Sequence, residues 1–110
     1  MDALNLSRIV GFQWDGGNFR KNEKHGVRQA EAEEVFECDA LVLIDDPAHS
    51  QDEPRYRAFG VTSAGRKLQI AFTLRASATL IRVISARPMS EKEQQSYEAQ
   101  TRAKTDSPLS

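Results

Sequence analysis

Cysteine is almost missing from this sequence. Cys38 stands alone among 110 residues, which excludes a disulfide framework and a thiolate metal cluster. Histidine is nearly as scarce. His25 and His49 are isolated, with no pair at the spacing that metal ligands keep, so neither a metal nor a cofactor is expected. No apolar run approaches the roughly 20 residues of a membrane span. The opening "MDALNLSRIVGF" lacks the basic-then-apolar order of a secretory signal. A cytoplasmic protein with no membrane contact is the expectation. Neither sign of charge dominates: the net charge is −1, which alone speaks against a nucleic-acid partner. No internal repeat is visible. A chain of this length suits one domain with a single core. That domain is expected over residues 1–104, with 105–110, "TDSPLS", as a disordered tail.

What is present is a segregation of charge along the chain. Every charged residue from Glu31 to Glu53 is acidic, and every one from Pro54 to Ser90 is basic. Such blocks either fold into one anionic and one cationic surface, or interleave in space and pair. Six of the seven cations in the basic block are arginines. A planar guanidinium can grip a phosphate at two points where an ammonium makes one.

Hydrophobic periodicity predicts the elements. "RIVGFQW" alternates, with Val10, Phe12 and Trp14 on one side, and reads as a first strand. "DGGNFRKNEKHG" starts on a capping Asp15 and stops at Gly26, the pattern of a short helix. "VRQAEAEEVFE" places Ala32, Val35 and Phe36 on one helical face with acids opposite. "ALVLI" reads as a short buried strand, and "DDPAHSQDEP" as a loop. "RYRAFGVTS", "KLQIAFTLR" and "TLIRVISAR" are three further strands, the first two joined by a tight "SAGR" hairpin. In the middle one, Leu68, Ile70, Phe72 and Leu74 form a core face. Gln69, Ala71, Thr73 and Arg75 form a face polar enough to meet a ligand. "SEKEQQSYEAQTRAK" is a final polar helix opened by Ser90. The order argues for a small α+β domain with a mainly antiparallel sheet, two N-terminal helices and a C-terminal helix.

Several of these blocks, in this order, resemble the BrnT family of toxins from bacterial type II toxin–antitoxin pairs. They are "WDGGNFRKNEKHGV", "DDPAHSQDEPRYRAFG", "GRKLQIAFTLR" and "IRVISARPMSEKEQQSYE". The resemblance spans roughly Phe12 to Glu98. It implies a RelE-like fold, a ribonuclease activity that inhibits translation, and neutralisation by a BrnA-type antitoxin with a ribbon-helix-helix DNA-binding region. DNA would then be met only through the antitoxin, and a dimeric antitoxin could link two toxin copies. The sequence departs from the family's "WDxxK" pattern at Asn18.

Metal-free RNA cleavage needs a base for the 2′-hydroxyl, an acid for the departing 5′-oxygen, and cations for the phosphorane. His25 is the acid–base candidate, since an unperturbed imidazole titrates near pH 6.5. Lys24 beside it is a candidate RNA contact. The competing reading makes both ordinary capping residues before Gly26. Arg55, Arg75 and Arg87 are candidate catalytic cations, and Arg57, Arg66 and Arg82 candidate RNA-binding ones. Each competes with a salt bridge to the acidic segment, and Arg82 with a snorkelling position at the sheet edge. Glu53 is a candidate support for Arg55. Glu93 either supports the site or completes a Ser90-x-x-Glu93 capping box. Tyr97, one turn after Glu93, either stacks on a base as part of the catalytic set or packs on the sheet. The leading functional reading is a ribonuclease toxin. The alternative is an inactive RNA- or partner-binding module acting as an antitoxin-dependent co-repressor.

Overall fold

Four runs of alternating apolar residues need partners for their backbone groups, and they find them in one five-stranded sheet. The computed structural model of the chain describes residues 6–14, 26–49 and 53–105. Strand β1 is Gly11–Gln13, β2 Val42–Asp45, β3 Tyr56–Val61, β4 Lys67–Arg75 and β5 Leu80–Pro88. Helix α1 is Gln29–Glu37 and α2 is Glu91–Thr105. The sheet order is β1-β5-β4-β3-β2. β2 through β5 pair antiparallel in chain order, while β1 joins the far edge parallel to β5. The sheet is therefore mixed, which corrects the expectation of a mainly antiparallel one. The first strand is separated from its partner by most of the chain, and a parallel register of this kind leaves no signal in local pattern.

The described residues contain two α-helices. The first expected helix lies outside them except for its terminal glycine. Gly26 has φ +71°, the left-handed region that glycine enters without a Cβ clash. Helix α1 starts two residues later than the hydrophobic pattern suggested. Its N-cap, Arg28, offers no side-chain acceptor. The carboxylate of Glu31 reaches back instead and accepts from the Arg28 N–H at 3.0 Å. Glu31 is thus not on a solvated acidic face: it is 7% exposed.

Two layers sandwich the sheet. On one face Ala58, Leu68, Ile70, Phe72, Ile81, Val83 and Ala86 pack against Val27, Ala32 and Val35 of α1 and its lead-in. The ring of Phe36 meets Phe72 edge-on, with centroids 5.0 Å apart. Fully burying a side chain of this size contributes about 1.5–3 kcal/mol. Helix α1 can lie this close because β3 carries a glycine beneath it. A Cβ at Gly60 would stand 2.7 Å from Cys38 Sγ and 2.9 Å from Val35 Cγ1. On the opposite face α2 covers only part of the sheet, where Met89 and Tyr97 pack on Val42 and Phe59.

Two further expectations change. Val10 is 80% exposed and precedes the strand, whereas Phe12 and Trp14 pack on the core. "ALVLI" forms the sheet's edge and not its interior, so Val42 is buried while Ile44 is exposed.

Candidate functional site

The part of the second face that α2 leaves uncovered is an open cleft of about 250 Å³. Cross-strand register builds it. Arg57, Ala71 and Ser85 lie side by side on β3, β4 and β5, and Phe59, Gln69 and Arg87 form the next row. Ala71 and Ser85 are small and give the cleft its floor, with the arginines at its sides. Arg55, just before β3, and Asp46, just after β2, complete the lining.

Arg87 reaches this face because of a β-bulge. Ala71 pairs with Ser85 but the next residue, Phe72, pairs with Val83, so Ile84 is an extra residue on β5. Before the bulge the odd-numbered Ile81 and Val83 face the core. After it the even-numbered Ala86 does, and Ser85 and Arg87 turn to the cleft. A bulge re-aims the side chains that follow it, a common device beside functional sites.

Carboxylates hold Arg57 and Arg87. Arg57 donates through Nε to Asp46 Oδ2 at 3.3 Å. This grip is on the inner nitrogen and directs the terminal pair elsewhere. Arg87 is gripped end-on: Nη1 and Nη2 donate to the two oxygens of Glu93 at 2.8 and 2.9 Å. Glu93 also completes the capping box, accepting from the Ser90 N–H while Ser90 Oγ accepts from the Glu93 N–H. The Arg87 hydrogen bonds, helped by the Ser90 amide, hold the Glu93 carboxyl down to about 2. The same contact raises the Arg87 guanidinium. Among the described residues no three His, Cys, Asp or Glu side chains gather as metal ligands would.

The structure brings Arg55, Arg57 and Arg87 to the cleft and leaves other candidates outside its lining. Arg75 donates to Glu53 at 3.1 Å at the end of β4. Arg82 reaches across to Gln13 Oε1 at 3.3 Å, tying β5 to edge strand β1. Arg66 lies by the β3–β4 turn on the α1 side. Its Nη1 meets both Glu31 oxygens and the Gly26 carbonyl, each at 2.9 Å. Tyr97 is packed on the sheet, 4% exposed, with its hydroxyl donating to the Ala40 carbonyl at 2.9 Å. Burial raises its phenol. Lys24 and His25 lie outside the described residues.

Five lining residues, Asp46, Gln69, Ala71, Ile84 and Ser85, were not among the candidate site residues. Gln69 and Ser85 had a partial signal: one alternates with core positions in β4, the other sits in the "ISAR" block. Asp46 had none, because nothing local distinguishes it from its acidic neighbours.

The fold and the cleft define a small α+β protein that presents several arginines on one partly covered sheet face. The model of the family described as "Ribonuclease toxin, BrnT, of type II toxin-antitoxin system" matches residues 14–93, and the chain belongs to that family. In fold it is similar to the Brucella abortus ribonuclease toxin, BrnT. That crystal structure superposes with a TM-score of 0.57 at 21% identity, covering 74% of this chain and 99% of the other. Comparison with curated proteins gives no match. Among the described residues no helix is long and apolar enough to cross a membrane.

Proposed function

We propose that this chain is a cytoplasmic endoribonuclease toxin that cuts RNA without a metal, halts translation, and is neutralised by a BrnA-type ribbon-helix-helix antitoxin. The observation that carries this reading is the convergence of Arg55, Arg57 and Arg87 on one cleft. Such cations can bind the scissile phosphate and stabilise the charge that develops on its oxygens. The 2′-hydroxyl attacks the adjacent phosphorus, giving up its proton to a base. The bond to the 5′-oxygen breaks, and an acid returns a proton to that oxygen. The products are a 2′,3′-cyclic phosphate and a 5′-hydroxyl. His25 is the proposed proton carrier. Asp46 holds Arg57 by its inner nitrogen, so this guanidinium meets RNA with little reorganisation, whereas Arg87 exchanges Glu93 for the phosphate.

The test is end-labelled RNA incubated with the protein and EDTA, with product ends identified by mass. The expected result is cyclic phosphate ends, with Arg57→Ala slower by about 10²–10³-fold. RNA left intact would end the ribonuclease reading, and cleavage that needs a divalent cation would end its metal-free part. The second reading, an inactive binding module, is favoured by the closed Arg87–Glu93 fork, since a carboxylate already occupies both terminal nitrogens. It predicts RNA retention without products in the same experiment.

A further inference from the structure

Gln69 is the one lining residue whose burial the fold does not explain. It is 3% exposed, the third residue of the central strand, and lines the cleft between Arg87 on one side and Phe59 on the other. Its backbone belongs to the sheet ladder. Its side-chain amide makes no hydrogen bond among the described residues. The other buried uncharged polar side chains on this sheet are placed differently. Thr73 Oγ1 donates to the Pro54 carbonyl at 2.6 Å, and Thr62 Oγ1 accepts from the Arg66 N–H at 3.1 Å. A buried amide left unpaired destabilises the fold, and a leucine or methionine at this position would avoid that cost.

An amide offers a donor beside an acceptor in one plane, the complement of a nucleobase edge that sets an acceptor beside a donor. Its neighbours suit the same ligand. Arg87 lies beside it on β5, Arg57 stands in the next row opposite Ala71, and the bulged Ile84 gives the cleft an apolar lining residue. We propose that Gln69 reads the edge of a nucleobase next to the phosphate held by these arginines, and so sets the base preference of the site. This rests on RNA being the ligand of the cleft, but not on the cleft being catalytic.

The experiment measures binding of non-cleavable 2′-O-methyl decamers of A, C and U to the full chain by fluorescence anisotropy. Wild type, Gln69→Met and Gln69→Glu are compared, with the melting temperature of each variant. The expected result is a spread of at least tenfold in Kd among the three decamers for wild type. It falls below threefold in Gln69→Met and changes in rank order in Gln69→Glu. Gln69→Met should also melt no lower than wild type, since it removes an unpaired amide at nearly constant volume. A spread that persists in Gln69→Met, or a wild type that binds all three alike, overturns the inference. A Gln69→Met that melts lower and loses affinity equally for every decamer also overturns it, by making Gln69 structural. Should base discrimination be present while unmodified RNA stays intact, this inference stands and the ribonuclease reading falls.

Discussion

Arg57 and Arg87 carry the same charge into the same cleft but are held differently, and the difference has consequences. An arginine held at Nε keeps its terminal fork for a ligand, whereas one held end-on must exchange its partner to bind one. Arg57→Ala should therefore weaken RNA binding more than Arg87→Ala, when both are measured by anisotropy at one salt concentration. Glu93 ties Arg87 to stability instead. Its carboxyl titrates near 4.5 when unpaired and about 2 in the fold. A lowered folded value contributes stability that is complete above about pH 4.5 and gone below about pH 2. Because Arg87 is partly exposed, solvent screening reduces the contribution to about 1–2 kcal/mol. Urea unfolding between pH 5 and 2 should show this loss in wild type. In Arg87→Ala most of that acid sensitivity should vanish, although Glu93 still caps α2.

At the scale of elements, two positions test how closely the parts are fitted. Gly60 lies under α1 where a methyl group would collide with Cys38 and Val35. Gly60→Ala should cost about 1–3 kcal/mol in chemical unfolding. The β4–β5 turn behaves in the opposite way. Ala76, Ser77 and Ala78 have φ of 55°, 55° and 67°, three left-handed residues that each carry a steric cost. The turn persists because Thr79 closes it, its N–H and Oγ1 both donating to the Ala76 carbonyl. Ala78→Gly should remove strain of about 1 kcal/mol, partly offset by the freer unfolded chain. The expected net effect is a melting temperature raised by a few degrees, and an unchanged or lower one would refute the strain.

For the whole molecule the decisive fact is how the charge blocks combine. Glu31 pairs with Arg66, Asp46 with Arg57, and Glu53 with Arg75. Three cations of the basic block thus meet carboxylates of the acidic one, while Lys67 and Arg87 pair with Glu98 and Glu93 of α2. Long-range attraction of RNA should be weak, and binding should depend on contact inside the cleft. Two or three phosphate contacts predict a shallow salt dependence, a slope of about −1.5 to −2 in log K against log salt. A slope steeper than about −4 would mean a far larger cationic surface than this cleft.

Much of this architecture was written in local pattern, because hydrophobic spacing reports which face of an element is buried. Strands β3 to β5, helix α1, the capping of α2 and the polar face of β4 all follow from it, and the ordered motif blocks already pointed to the family. Pairing across distance has no such local signature. Tertiary structure alone decided that β1 joins β5 in parallel, that one bulged residue turns Arg87 into the cleft, and that Arg66 meets Glu31 while Tyr97 of α2 lies against the sheet. It also brought Asp46, Gln69 and three arginines from separate segments to one place. A register shift of a single residue moves a side chain to the other face of a sheet, and composition does not encode which register is chosen.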